Sequence, residues 1–176
     1  MREGTKPVVT LFESISVNGM IARPNDDAGF FTDINWTAFV DLAISAGAMV
    51  WGRKTHEMYR RQAVASMPGV HGFVLTSNGR FKVEEGWNVA ASPEEAAALA
   101  AKAGAKELVV AGGATVNTSF ARSGLVDRIV LNVESLLIGE GIPLFSPAKF
   151  DMHLQFRESR KLTPTVIQLH YDVRRA

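Results

Sequence analysis

The sequence contains no cysteine among its 176 residues. Without thiols the chain forms no disulfide, no thiolate metal centre and no cysteine nucleophile. Its four histidines are scattered singly, at no spacing typical of metal ligands, so we expect no metal site. No apolar run approaches the length of a membrane span, and the N-terminus has no apolar segment of signal-peptide length. These absences predict a soluble protein of the cytoplasm with no membrane partner.

The chain also lacks an excess of charge of either sign. Nineteen Lys and Arg residues against 18 Asp and Glu residues give a formal net charge of +1. Such a balance gives no reason to expect nucleic acid as a partner. We see no repeat, linker or low-complexity segment, and a chain of this length buries roughly two-thirds of its unfolded surface. We therefore predict a single domain over residues 1–176.

Strand-like and helix-like segments alternate through the first two-thirds of the chain. Short runs rich in Val, Ile and Phe predict strands at 7–17, 20–22, 48–52, 72–77, 106–113 and 127–135. Helical spacing, caps and stops predict helices from near Asn35 to Gly47 and over 53–63, 92–104 and 114–124. Residues 136–148 are expected to be a connection, and 152–175 two strands around a turn near 162–164. This order predicts an α/β fold with a mostly parallel sheet and a C-terminal antiparallel hairpin.

The stretch "VWGRKTHEM" (50–58) places two cations at a predicted strand-to-helix junction. Gly52 gives the turn, and Arg53, Lys54 and Thr55 occupy the start of the helix. A helix N-terminus carries about half a positive charge, so cations there oppose the helix dipole. A bound phosphate would offset the repulsion between these cations and the helix dipole, although the same residues could simply be solvated at a surface turn.

The stretch "VVAGGATVNTSFARSG" (109–124) contains a second junction of this kind. Gly112 and Gly113 separate a strand from a helix that begins with Ala114 and Thr115. Glycines permit a close approach of the backbone to a ligand, but a glycine pair is more often ordinary turn chemistry. It matches neither the GxGxxG nor the Walker pattern.

Both junctions follow strands of a predicted open α/β sheet. Ligands bind such sheets outside the carboxyl ends of the strands, so the two junctions fit a ligand with two phosphate positions. Thr76 and Ser77, at the end of another predicted strand, add hydroxyl groups that could reach a phosphate. A dinucleotide with an additional ribose phosphate is such a ligand.

The segments "SVNGMIA", "WGRKTHEM", "VVAGGATVNTSF" and "GLVDRIVLNVE…IGEGIPLF" resemble, in order and spacing, the dihydrofolate-reductase-like superfamily. The branch they resemble is the reductase domain of riboflavin biosynthesis, the RibD C-terminal family. The resemblance implies a three-layer fold, with a central mixed sheet of about eight strands and helices on both faces. It also implies NADPH as cofactor, hydride transfer to a small heterocyclic or ribosylated substrate, and a homodimer.

Roles for individual residues follow from the resemblance. Arg53, Lys54 and Thr55, with Thr76 and Ser77, would hold the 2′-phosphate of NADPH. The pyrophosphate would lie against the backbone of residues 112–116, and the nicotinamide against Ser14, Ile21 and Ala22. The residues expected along the pyrophosphate are Gly112, Gly113, Ala114, Thr115 and Val116, and Gly52 gives the turn at the first junction.

Reduction also needs a proton, so an acid is expected near the nicotinamide. Asp33, in the loop before the first helix, is our candidate for this catalytic residue, and Asp26 and Asp27 are its rivals. Glu13 is a charge inside an apolar strand, where it either contacts substrate or pairs with a basic residue.

Two alternatives remain open at this stage. The protein could be a dihydrofolate reductase proper, although the helix acid of those enzymes falls near Asn35 or Trp36 here. It could also be a nucleotide-binding module of the same fold without turnover.

Overall fold

A computed structural model of the chain describes residues 6–175. The two ends of the predicted domain, residues 1–5 and 176, lie outside the described residues. The strands are β1 (Val8–Ser16), β2 (Met20–Ala22), β3 (Ala48–Gly52), β4 (His71–Leu75), β5 (Trp87–Ala90), β6 (Glu107–Val110), β7 (Arg128–Glu134), β8 (Ile142–Pro143), β9 (Leu154–Lys161) and β10 (Val166–Val173). The helices are α1 (Asp33–Ala46), α2 (Arg53–Ser66), α3 (Pro93–Lys102) and α4 (Ala114–Ser123).

Eight of these strands form one sheet in the order β5-β4-β3-β6-β1-β7-β10-β9. Along this order, all neighbouring strands from β5 at one edge as far as β7 are parallel. β10 pairs antiparallel with both β7 and β9. The predicted parallel sheet with a C-terminal antiparallel hairpin is thereby confirmed. β2 and β8 pair in a separate two-stranded sheet, so the expectation of a plain connection over 136–148 was wrong. β8 has only two residues, which is too short for a periodic signal.

The sheet is the middle layer of three because successive side chains of a strand point to opposite faces. In β3, Ala48 and Val50 pack with α3 and α4, whereas Met49 and Trp51 pack with α1 and α2. Phe120 of α4 is fully buried in the first of these cores. Burying a side chain of this size stabilises the fold by about 2–3 kcal/mol.

The helix boundaries largely follow the predicted signals. Ser92 caps α3 by accepting a hydrogen bond from the backbone N–H of Glu95, at 3.2 Å. Gly47 and Gly124 follow α1 and α4 in the left-handed conformation. β4 and β6 end two and three residues earlier than predicted, so Thr76, Ser77 and the glycine pair lie in loops beyond the strands. Within the described part of the chain, no helix is long and apolar enough to cross a membrane.

His56, in the first turn of α2, is fully buried and ties this helix to the sheet and to the loop before β5. The indole N–H of Trp51 donates to its Nδ1 at 3.1 Å, and its Nε2 lies 2.7 Å from Glu84 Oε2. Because Nδ1 accepts, Nε2 carries the proton in the neutral ring. Burial lowers the pKa of His56, and its hydrogen bond to Glu84 opposes that effect less strongly.

This burial predicts a loss of stability in mild acid. The unfolded imidazole takes a proton near pH 6.5, whereas the folded one takes it only at a lower pH. The free energy of unfolding should therefore fall as the pH drops below about 6.5, by up to about 1.4 kcal/mol per pH unit. Urea unfolding from pH 7.5 to 5 checks this, and His56→Gln should flatten the slope over that range. His71→Gln, which removes an exposed imidazole, is the control, and an equally flattened slope there would contradict the assignment.

Candidate active site

The two predicted junctions lie side by side at one edge of the sheet. β3 and β6 pair in register through Val50 and Val110, where β6 ends, and β3 ends two residues further on, at Gly52. The backbone N–H of Gly52 then donates to the carbonyl of Gly112 at 2.9 Å. α2 and α4 begin directly after these contacts, and their N-termini are therefore neighbours.

Both helix starts lack an internal partner for their free N–H groups. The N-cap residues are Gly52 and Gly113, neither of which provides a side-chain cap, and neither first turn contains an acid. α3 differs in both respects, because Ser92 caps it and two glutamates lie in its first turn. Uncapped N-termini of this kind attract anions through their N–H groups and the helix dipole. The two junctions therefore offer two neighbouring places that attract anions.

Basic and hydroxyl side chains surround the start of α2. Arg53 and Lys54 are exposed, and Lys54 Nζ lies 3.1 Å from Asp26 Oδ2. Pairing of Gly52 with Leu75 places Thr76, the next residue, beside this helix start. Arg53 and Thr76 thus flank the position expected for a phosphate.

A cavity of about 300 Å³ opens beside the glycine pair. The predicted site residues on its wall are Ser14, Ile21, Ala22, Asp33, Thr55, Gly112, Gly113 and Ala114. The remaining ones lie around the two junctions but off the cavity wall: Gly52, Arg53, Lys54, Thr76, Ser77, Thr115 and Val116. The structure thus brings the predicted nicotinamide residues and the glycine pair into one concave site.

Glu13 of β1 lies on the wall of this cavity against the glycine pair. Among the described residues it has no basic partner, and its Oε1 accepts a hydrogen bond from Asn117 Nδ2 at 2.9 Å. Asn117 Nδ2 also donates to the carbonyl of Leu144 at 3.0 Å, which fixes the amide. Removal from water raises the pKa of Glu13 to about 7, and the hydrogen bond from Asn117 lowers it by less. Of the two alternatives left open by the sequence, an ion pair is thus not what the structure shows.

A buried hydrogen-bond network links Ser14, beside Glu13 on β1, to the start of α1 and the end of β7. Ser14 Oγ donates to Asn35 Oδ1 at 2.9 Å, and Asn35 Nδ2 donates to Glu134 Oε1 at 2.6 Å. The same carboxylate oxygen accepts from the backbone N–H and the hydroxyl of Thr32, at 3.0 and 2.7 Å. Sequence analysis missed this network, although a glutamate ending the apolar strand β7 was a signal like that of Glu13.

The three aspartates proposed as the acid have different surroundings. Asp33, the first residue of α1, is exposed on the cavity wall. Asp26 is also on the wall but pairs with Lys54. Asp27 lies off the wall, where it pairs with Arg23 at 3.4 Å. Asp33 therefore stays the predicted proton source, at the entrance of the cavity.

Aromatic side chains from α1, β3 and α2 form an apolar side of the cavity. The ring of Trp36 lies 5.5 Å from that of Phe39 and 5.9 Å from that of Tyr59, between centroids. Burial raises the pKa of Tyr59, and the charges of Asp27 and Glu13 raise it further. A negative charge at this hydroxyl is therefore disfavoured. Flat rings with offset or tilted packing suit a planar heterocyclic ligand.

Comparison with known proteins links this geometry to a family. Residues 7–168 match the family model described as the RibD C-terminal domain. The uncharacterized Bacillus subtilis protein YwjB is 23% identical over 92% of this chain and 95% of its own. The uncharacterized Bacillus subtilis protein YyaP is 35% identical over 66 residues, which are 38% of this chain and only 35% of YyaP.

The solved structures include a two-function enzyme with the same fold. It is a Thermotoga maritima diaminohydroxyphosphoribosylaminopyrimidine deaminase and 5-amino-6-(5-phosphoribosylamino)uracil reductase. It matches with a TM-score of 0.76 at 14% identity, over 96% of this chain and 57% of that enzyme. At this identity the match shows the shared fold.

The contact between Gly112 and Glu13 leads to a stability prediction. Gly112 has φ +67°, and a Cβ there would collide with the carboxylate of Glu13. Gly124 also has φ +67°, but a Cβ there meets no atom within 4 Å, which makes it a matched control. Gly124→Ala should cost about 1 kcal/mol of unfolding free energy, from backbone conformation alone. Gly112→Ala should cost more, because the carboxylate of Glu13 must also leave Asn117.

Chemical denaturation of both variants, and of each combined with Glu13→Ala, separates the two terms. Removing the carboxylate should abolish the excess cost at Gly112 and leave the cost at Gly124 unchanged. Equal costs at the two glycines in the wild-type background would show that the contact has no energetic consequence.

Proposed function

Because the chain belongs to the RibD C-terminal domain family, we propose that it is an NADPH-dependent reductase. In this proposal it transfers a hydride to a small heterocyclic or ribosylated substrate, in the manner of 5-amino-6-(5-phosphoribosylamino)uracil reductase. The observation that carries the proposal is the pair of uncapped helix starts joined by the Gly52–Gly112 hydrogen bond, beside an aromatic cavity. A cytoplasmic location of the protein is part of the same proposal.

The residues present fit this cofactor. Gly112 and Gly113 line the cavity beside the start of α4, which is where a pyrophosphate would lie, and Gly113 is partly exposed there. Arg53 and Lys54 are the two exposed cations at the start of α2, where a 2′-phosphate would lie. The cavity wall formed by Ser14, Ile21 and Ala22 is continuous with the glycine pair, so a nicotinamide ring would lie against the substrate.

NADPH supplies the hydride in reactions of this class. The substrate carbon gains the hydride with its electron pair, the adjacent π bond opens, and the neighbouring atom takes a proton. We propose Asp33 as the source of that proton, because it is exposed at the cavity entrance and can regain a proton from solvent. The buried network of Ser14, Asn35 and Glu134 would keep this side of the cavity rigid.

Dihydrofolate reduction is the second candidate activity. It is favoured by the acidic side chains and aromatic rings that share the cavity wall, which suit the N–H groups and flat ring of a pterin. Oxidation of NADPH by dihydrofolate would distinguish it from the first candidate. Cofactor binding with no turnover on either substrate class would favour a binding module.

The cofactor proposal predicts selective binding of NADPH. Replacing Arg53 and Lys54 together by Ala should weaken NADPH by roughly one to two decades per residue, since a charge-assisted phosphate contact contributes about 1.5–3 kcal/mol. The affinity for NADH, which has no 2′-phosphate, should change little. Titration of the wild type and the variant with both cofactors, followed by nicotinamide fluorescence, measures this.

Arg61→Ala is the matched control for this titration, because it removes an exposed cation further along α2. It should bind both cofactors like the wild type. Equal weakening of NADPH and NADH in the Arg53 and Lys54 variant would refute a 2′-phosphate site at this junction. No binding of either cofactor to the wild type would refute the proposed function.

We also propose a homodimer formed through the C-terminal hairpin. β9 is an edge strand that is exposed along its whole length, and Phe156 and Ile167 are 56% and 48% exposed. Phe156 lies opposite Tyr171, and Ile167 is four residues before Tyr171, so these side chains share one face of the hairpin. An apolar face on an edge strand is a surface that proteins usually cover.

Phe156→Glu should convert this dimer to a monomer, because it places a charge in the covered face. Light scattering coupled to size-exclusion chromatography measures the mass of each species. Val64→Glu, which alters a side chain of α2 that is 48% exposed, is the control and should remain dimeric. A wild type that is monomeric at micromolar concentration would contradict the proposal.

A further inference from the structure

The charged side chains on the cavity wall are all acidic. They are Glu13, Asp26 and Asp33, and no Lys, Arg or His is among the lining residues in the described part of the chain. Enzymes that hold a substrate phosphate ester supply cations or free N–H groups for it. The N–H groups at the two helix starts belong to the proposed cofactor. A second phosphate, on the substrate, would therefore meet carboxylates.

Two cations next in the chain to lining residues, Lys54 and Arg23, are engaged by acids, and Arg53 belongs to the proposed cofactor site. Lys54 pairs with Asp26 at 3.1 Å, and Arg23 pairs with Asp27 at 3.4 Å. Arg23 also lies over the ring of Phe30, 5.2 Å from its centroid and off the cavity wall. Either cation would have to leave its acidic partner in order to reach a ligand inside the cavity.

The charged groups on the cavity wall are all acceptors, and several donors around the cavity are already engaged, whereas Thr55, Tyr59 and Gln62 can donate or accept. The hydroxyl of Ser14 and the amide of Asn35 donate within the buried network, and the amide of Asn117 donates to Glu13 and Leu144. Glu13 also accepts from the backbone N–H of Ser14, but its two carboxylate oxygens can take a further donor, and Asp33 is exposed. A ligand that fits these acceptors brings N–H donors of its own.

Resting on the proposed reductase function, we propose that the cavity binds an uncharged or cationic planar heterocycle through N–H donors to Glu13, and discriminates against phosphate esters. The tilted rings of Trp36 and Tyr59 provide the apolar surface for that heterocycle. Glu13 is then a specificity-determining residue, since its carboxylate attracts N–H groups and repels a phosphate. Its position against Gly112 holds the carboxylate at the wall shared with the cofactor site.

A matched pair of substrates tests this directly. The compounds are 5-amino-6-(5-phosphoribosylamino)uracil and the same molecule without its phosphate. Initial rates of NADPH oxidation at pH 8, where the Glu13 carboxyl with a pKa of about 7 is ionised, give kcat/KM for each. We expect the compound without phosphate to have a kcat/KM at least about 10-fold higher, the size of one ordinary polar contact.

Two variants assign the discrimination to the charges of the cavity. Glu13→Gln keeps an oxygen that accepts from Asn117 but removes the charge, and should lower the ratio of the two kcat/KM values about 10-fold. Met58→Lys adds a cation to the cavity wall and should raise kcat/KM for the phosphate ester alone. Val64→Lys, on the same helix and off the wall, is its control. A ratio is unaffected by losses that act equally on both substrates, such as weakened cofactor binding.

The outcomes separate this proposal from the proposed function. NADPH binding with a preference for the phosphate ester, or with an unchanged ratio in Glu13→Gln, would overturn the inference and leave the reductase standing. Failure of the wild type to bind NADPH in the fluorescence titration would overturn the reductase itself. Selective turnover of the compound without phosphate, lost in Glu13→Gln, would support both.

Discussion

The site depends on the alignment of β1, β6 and β3 as parallel neighbours. Parallel strands need a crossover after each strand, and the crossovers after β3 and β6 begin with helices at the same edge of the sheet. The hydrogen bond from Gly52 to Gly112 fixes the distance between two of these junctions. With that bond in place, the starts of α2 and α4 present their positive ends to one shared space. This arrangement brings the glycine pair, the basic residues at the start of α2 and the cavity to the same edge of the sheet.

Two carboxylates near the cavity, the buried Glu134 and the half-buried Glu13, differ in the hydrogen bonds that they receive. Glu134 receives three hydrogen bonds from the chain on its Oε1, two from Thr32 and one from Asn35. Glu13 receives one side-chain donor, from Asn117, and its pKa rises as a result of desolvation that this bond does not offset. The first carboxylate organises structure, and the second keeps capacity for an external partner. A group left incompletely satisfied at a cavity wall is more readily explained by a ligand than by stability, because burying it costs free energy.

The sequence allowed the elements and their order to be predicted, because each has a strong local signal. Ser92 and its two following glutamates identify α3, and alternating apolar residues of β3 serve both cores. β8 escaped prediction because two residues are too few to show the apolar alternation of a strand. Its pairing with β2 depends on tertiary contacts. The network of Ser14, Asn35 and Glu134 escaped because its members are up to 120 residues apart and have ordinary neighbours in the chain. The buried position of His56 escaped prediction because most of its neighbours in α2 are polar.

The proposed cofactor half of the site leaves a stronger signal in the sequence than the proposed substrate half, for a physical reason. Phosphate groups are held by backbone N–H groups at helix starts, and a backbone requirement leaves glycines and small residues at fixed places in the sequence. The substrate side is formed by side chains from β1, α1 and α2, whose types can change without disturbing the backbone. The charge of such a wall can therefore change while the backbone at the helix starts is kept. The charge of the wall formed by Glu13 and Asp33 therefore carries more information about the substrate than the fold does.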